Sequence, residues 1–365
     1  MSRVYNFSAG PAVLPLEVLQ EAQANLVDYK GCGMSVMEMS HRGKDYDAIH
    51  QEAIATFKEL CGLGDEWAVT FIQGGASMQF AMIAMNFLKA GSVADYGKQG
   101  TWSGKALKEA QLIAKLRGAT VNVAADCQKD IPTRQPRDDE WKWTPGAAFS
   151  HICSNETIAG AEIKKFPVTG SRLICDMSSD ILSCERDYNQ FDMFYAGAQK
   201  NLGPSGMAVV AIKKDFAAQG AADIPTMLKY TTYTEENSLY NTPPTWGIYI
   251  FGETMKWVKK MGKENLFKLN AEKARKIYDV IDGSDFWTGT ALKEFRSNMN
   301  ITWRIHGNNE ELEKKFVDEA KQLGMGSLKG HRSVGGIRAS IYNAFPMAGV
   351  DALVDFMKDF EKKNG

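Results

Sequence analysis

Short apolar runs alternate with amphipathic stretches through the first half of this chain. Residues 68–72, 93–96, 119–124, 149–153 and 173–175 have the length and the β-branched or aromatic content of buried strands. Between them, apolar residues recur at helical spacing. Helices are expected over about 16–29, 45–61 and 77–89, and from about Ser103 onward. Residues 125–147 are polar and contain proline, and read as an excursion. Strands alternating with helices predict an α/β domain with a mostly parallel mixed sheet flanked by helices.

The pattern changes between Asp192 and Ile212, DMFYAGAQKNLGPSGMAVVAI. Two apolar runs, 193–195 and 207–212, flank a turn of small residues that holds Lys200. Residues 225–244 are then irregular. Helices are expected over 246–261 and 264–281, a strand over 300–305, a helix over 309–323, a strand over 336–342 and a closing helix over 350–362. The divisions that follow are an N-terminal segment, 1–15, packing with the small domain, a large domain, 16–261, and a smaller C-terminal α/β domain, 262–365.

Composition narrows the function. The chain has 365 residues and a formal net charge of −1, which favours neither nucleic acid nor an anionic membrane. No apolar run approaches the roughly 20 residues that span a bilayer. MSRVYNFSAGPAVLP lacks the apolar core of a signal peptide. The six cysteines include no CxxC pair, and Cys153 and Cys175 lie in strand-like runs. A cytoplasmic location and no metal site are the expectations.

The candidate chemistry lies at strand ends, where ligands of open α/β sheets bind. A lysine in a glycine-rich loop, taken alone, reads as a surface residue. Beside core strands its amine is easier to deprotonate and becomes a usable nucleophile. Just upstream, the 173–175 strand ends in Asp176. A turn lysine and a strand-end aspartate suit pyridoxal 5′-phosphate (PLP): the lysine holds the aldehyde as a Schiff base, and the aspartate keeps the pyridine nitrogen protonated. Gly74, Gly75, Ala76 and Ser77 join a strand to a helix, which is phosphate-cradle geometry, with Ser77 as a possible cap. The spacing matches neither GxGxxG nor GxxxxGK[ST]. Trp102, in a loop after a strand, suits ring stacking or a domain interface equally. Thr157 stands at a strand exit. His41 and Arg42 precede a helix, which suits an anion or a solvated turn.

In order and in spacing, FSAGPAVLP, MEMSHRGKDY, GGAS, the Trp102 loop, SNET, DMSSDILS, YAGAQKNLGPSG, YNTPPT and GHRSVGGIRASIYNA resemble the phosphoserine aminotransferases, class-V members of the fold-type-I PLP enzymes. The resemblance runs the length of the chain. It implies transamination between O-phospho-L-serine and 2-oxoglutarate in L-serine biosynthesis, and leaves open a second substrate, 4-phosphohydroxy-L-threonine. It implies Lys200 as the Schiff-base lysine, Asp176 as partner of the pyridine nitrogen, Trp102 on the ring and Thr157 at its 3-hydroxyl. It gives Ala76, Ser77 and Gln199 to the phosphate, with Asn241 and Thr242 reaching the neighbouring subunit's cofactor in a homodimer. Some relatives carry Arg where Ser77 stands. Arg338 resembles the α-carboxylate clamp. His41 and Arg42 of one subunit, with His331 and Arg332 of the other, resemble the distal-anion site. Rival readings are an alanine–glyoxylate type aminotransferase, a cysteine desulfurase, and a non-enzymatic binding protein on the same fold. No cysteine lies in an obvious exposed Gly/Ser-rich loop near the C-terminus, which disfavours the desulfurase. The presence of Lys200 and Asp176 disfavours the binding protein.

Overall fold

In the computed structural model, which describes residues 3–365, seven strands form the central sheet. Their spatial order is Trp67–Gln73, Met207–Lys213, Met193–Gly197, Arg172–Asp176, Phe149–Cys153, Val93–Lys98 and Thr120–Asp126. Every neighbouring pair is parallel except the two made by Met207–Lys213, which runs against both its neighbours. Alternation along the strands sends residues to opposite faces. Trp67, Val69, Phe71, Val209, Phe194 and Cys175 join one apolar layer, while Ile72, Val210, Tyr195 and Ile174 join the other. Helices Lys44–Cys61 and Thr245–Met261 cover the first face through Phe57 and Phe251. Helices Gly75–Phe87 and Thr101–Arg117 cover the second through Phe80, Ile83 and Leu107. A sheet covered on both sides explains why its strands read as nearly continuous apolar runs.

The C-terminal part builds a separate core around Ile277, Trp303, Phe316, Ile337 and Met357. Its three-stranded antiparallel sheet runs Trp287–Gly289, Asn300–Ile305, Ile337–Ser340. Phe7 is buried in this core, and Tyr5–Asn6 pairs in parallel with Met325–Gly326.

Several expected elements differ. The first helix is Leu16–Ala24 and stops five residues early, because Asn25 turns out of it and uses its amide on Glu21 and Tyr249. Residues 225–244 are partly helical: Tyr230–Glu235 is helix, held by buried Tyr230 and Tyr233. The expected 336–342 strand is Ile337–Ser340, since Ile341 to Phe345 wrap the buried Lys273 ammonium. The strands Tyr5–Asn6, Trp287–Gly289 and Met325–Gly326 are too short to leave a period in the sequence.

Candidate active site

Five strands run out on one edge of the central sheet, and each leads to part of one cavity. Trp67–Gln73 leads to Gly74, Gly75, Ala76 and Ser77. Val93–Lys98 leads to Trp102, Phe149–Cys153 to Thr157, Arg172–Asp176 to Asp176 itself, and Met193–Gly197 to Gln199 and Lys200. All of these residues line the cavity. Its polar face is completed by Asn155, Ser178 and Ser179.

Lys200 is buried, at 8% exposure, and its Nζ donates to Thr157 Oγ1 at 2.6 Å. Burial pushes the lysine below its ordinary pKa, and Asp176 opposes that shift. Asp176 is pushed the other way, up by burial, while Ser178 draws it back. Both Ser178 bonds, from N–H at 2.9 Å and from the hydroxyl at 2.6 Å, go to the same oxygen, Oδ1. Ser178 is itself held by the Gly197 N–H at 3.0 Å. The N-terminal segment crosses this region. Ala12 N–H donates to the Gln199 carbonyl at 2.8 Å, and a Cβ on Gly10 would stand 3.5 Å from Lys200 Cγ. The FSAGP motif therefore packs against the lysine stem.

The glycine turn differs from expectation in detail. The helix begins at Gly75, so Ser77 lies inside its first turn and does not cap it. Gly74 takes the cap position at φ +91°, a conformation glycine adopts without strain, and a Cβ there would strike Met78 at 2.9 Å. Uncapped N–H groups of this first turn face the cavity beside an exposed Ser77. Trp102 lies in the first turn of Thr101–Arg117, not in a loop. Its ring centroid is 5.8 Å from Lys200 Nζ, and its buried indole nitrogen has no partner among the described residues.

Arg338 comes to the cavity from the C-terminal sheet. Its Nη1 contacts the Thr157 carbonyl at 3.4 Å, and its buried Nε is unpartnered among the described residues. Burial lowers this guanidinium from its ordinary pKa, as expected of a cation without a counter-charge. His331 bonds Ser333 through Nδ1 at 2.7 Å, and burial together with Arg338, Arg332 and Lys105 pushes its pKa down. The ammonium of Lys105 lies 4.3 Å over the Trp102 ring. Lys105 was not singled out from sequence, where it is one of several lysines on an exposed helix face. Ser178 and Asn155 were also passed over, although DMSS and SNET contain them.

Five expected residues are not brought to this cavity by their own chain: Arg332, which lines a separate pocket with Glu310, Glu313 and Gly336, and His41, Arg42, Asn241 and Thr242. His41 and Arg42 follow Val36 and Met39, and Asn241 and Thr242 follow Leu239. Those three apolar residues belong to one small cluster with Tyr249 and Ile250. Arg42, Asn241 and Thr242 are exposed.

The donor set suits a flat, phosphorylated pyridine aldehyde. It offers a buried amine, a carboxylate whose Oδ2 takes neither Ser178 bond, an aromatic wall with an unpartnered N–H, and a helix N-terminus for the phosphate. The family model for class-V aminotransferases matches residues 4–353. A phosphoserine aminotransferase of Desulfatibacillum aliphaticivorans is 51% identical over 371 residues, covering 100% of this chain and 99% of the relative. The solved phosphoserine aminotransferase of Bacillus circulans subsp. alkalophilus superposes with a TM-score of 0.94 at 52% identity, covering 100% of this chain and 99% of that one. A PLP-bound phosphoserine aminotransferase from Trichomonas vaginalis gives 0.93 at 40% identity, covering 98% and 100%. The cofactor is pyridoxal 5′-phosphate, and the chain belongs to the class-V aminotransferases, within them to the phosphoserine aminotransferases.

Proposed function

We propose that this chain exchanges the amino group of O-phospho-L-serine with 2-oxoglutarate, giving 3-phosphooxypyruvate and L-glutamate in L-serine biosynthesis. The observation that carries the reading is the buried Lys200 amine sharing one cavity with buried Asp176, while Arg338 stands beside Thr157 without a carboxylate partner among the described residues.

When bound, the cofactor accepts the electron pair released as the substrate's α-proton leaves. The chain's residues do the rest. Lys200 would be the cofactor's attachment point and, with its amine free, the base and acid that moves the substrate's α-proton. Its lowered proton affinity suits that exchange. Thr157 orients the amine. Asp176, aligned by Ser178, would hold the cofactor's pyridine nitrogen in its charged form. Trp102 would cover the cofactor's ring, and Ala76, Ser77 and Gln199 would hold its phosphate. Arg338 takes the α-carboxylate that both substrates share. A planar guanidinium fork matches a carboxylate with two parallel bonds, which a lysine cannot do.

The reading includes a homodimer with shared sites. His41, Arg42, Asn241 and Thr242 follow members of one apolar cluster in the chain and do not line their own chain's cavity. A two-fold partner would carry them to the other subunit's cavity. Asn241 and Thr242 would then reach the phosphate. His41 and Arg42 would join His331 and Arg332 around the distal anion. The division into 1–15, 16–261 and 262–365 belongs to the same proposal, supported by the separate C-terminal core. So does a cytoplasmic location; no helix among the described residues is long and apolar enough to cross a membrane.

The test is the half-reaction. The yellow protein is mixed with O-phospho-L-serine, L-alanine or L-cysteine, and loss of the visible band is followed. Fast bleaching by phosphoserine alone, reversed by 2-oxoglutarate, is expected. Fast bleaching by alanine, or sulfide release from cysteine, would overturn the substrate assignment.

A further inference from the structure

Glu156 is fully buried, and its hydrogen bonds go to Trp102 and Ser103, while the Lys200 amine bonds Thr157. Its two oxygens are filled from one place. Oε2 accepts the Trp102 N–H at 3.1 Å. Oε1 accepts the Ser103 N–H at 3.0 Å and the Ser103 hydroxyl at 2.6 Å. A protonated carboxyl would have to donate from one of these oxygens, and both face donors. The bonds from Ser103 and Trp102 favour the carboxylate form of Glu156, and burial opposes them by raising its pKa. The compensating partial charge comes from the N-terminus of the 17-residue helix Thr101–Arg117.

The surroundings are shaped for this contact. A Cβ on Gly100 would stand 2.5 Å from Glu156 Cδ, so only glycine lets the carboxylate reach the helix. The next residue, Thr157, accepts the Lys200 amine. One dipeptide thus ties the helix bearing Trp102 to the lysine. Among the described residues no other side chain from a distant part of the chain hydrogen-bonds to this first turn, and Ser103 Oγ otherwise serves Gln99 and Gly100, which are local.

We infer that Glu156 is a positioning residue, whose buried carboxylate fixes the first turn of Thr101–Arg117 and thereby the seat of the Trp102 ring against the cofactor. Its charge also adds to that of Asp176 in holding a proton on Lys200. This rests on the reading of Trp102 as the ring that stacks on the cofactor.

The experiment uses the PLP-loaded protein, wild type, Glu156→Gln and Trp102→Phe. Glutamine keeps the volume, removes the charge and turns an N–H₂ toward donors. Three quantities are read: the visible circular dichroism of the bound cofactor, the pH midpoint of its coloured form, and amide exchange over residues 99–106. In Glu156→Gln the dichroic band should fall by about half or more, toward that of Trp102→Phe. The midpoint should move down by about half a pH unit, because an anion near the lysine is gone. Exchange over 99–106 should rise about tenfold, the factor expected for a lost charge-assisted bond. A merely structural carboxylate would leave the midpoint in place. A wild-type band and midpoint in Glu156→Gln, with a weakened band in Trp102→Phe, would overturn this inference alone. An unaltered band in Trp102→Phe would overturn the stacking reading and this inference with it. Should Glu156→Gln fail to fold, Ser103→Ala removes one of the three bonds, and a weakened or an unaltered band decides in the same way.

Discussion

Arg338→Lys tests where the α-carboxylate shared by all the substrates is held. Arg338 lies on Ile337–Ser340, opposite Thr302 in the neighbouring strand. Its Nη1 contact at 3.4 Å is to Thr157, the residue whose hydroxyl holds the Lys200 amine. The substrate amine must take the place of the Lys200 amine, and a carboxylate on the same carbon must lie close to it. The Arg338 fork is thus placed for the α-carboxylate, whichever substrate is bound. Lysine would keep a point charge and lose one of two parallel charge-assisted bonds, which costs about 1.5–3 kcal/mol. That corresponds to roughly 10- to 150-fold in kcat/KM. The loss should be the same, within about threefold, for phosphoserine, glutamate and both keto acids. Single-turnover bleaching and recovery of the visible band measure all four, and the cofactor spectrum at rest should not change. A loss confined to the phosphorylated pair would move Arg338 to the distal anion. A loss of less than about threefold for all four would mean that the fork is not engaged.

Three further outcomes are expected. Asp176→Asn keeps the Ser178 contacts possible but removes the charge, and should slow the proton-transfer half-reaction by about 10²–10³ while the yellow complex still forms; wild-type rates would remove Asp176 from the chemistry. Mixing Lys200→Ala with Asn241→Ala subunits, after exchange, should restore about a quarter of wild-type activity, since half the dimers are hybrids and each holds one intact site; no recovery in demonstrated hybrids would refute shared sites. His151, buried against Tyr96 and Tyr195, is held neutral by burial with its pKa lowered to about 3. The unfolded chain takes up this proton below the ordinary histidine value of about 6.5, so the contribution is complete above that pH and is lost as pH falls toward 3. Stability should drop by about 1.4 kcal/mol per pH unit across that window. In urea unfolding, His151→Gln should show a shallower acid slope by that amount whatever its offset, and parallel profiles would refute the assignment.

The alternating strands and helices, and the placing of Asp176 and Lys200 at strand ends, followed from the sequence because they are local. A buried strand announces itself by a run of apolar side chains, and Phe149–Cys153 and Asn300–Ile305 have the boundaries that their patterns predict. A glycine-rich turn beside such runs shows where a polar group can approach a ligand. What the tertiary structure alone decided is what meets across distance. The contact from Trp102 to Glu156 spans 54 residues, and that from Arg338 to Thr157 spans 181. Neither leaves a period in the chain. Tyr5–Asn6 has only two residues and exists because Met325–Gly326 presents a free edge to it. The first helix ends at Ala24 because a side-chain amide has better partners than the next turn would supply. Binary pattern reports burial, and burial is enough to place elements in layers. Which buried polar group faces which is set by closure of the whole chain, where an unpartnered carboxylate or amide costs more than the local preference of the residue that satisfies it.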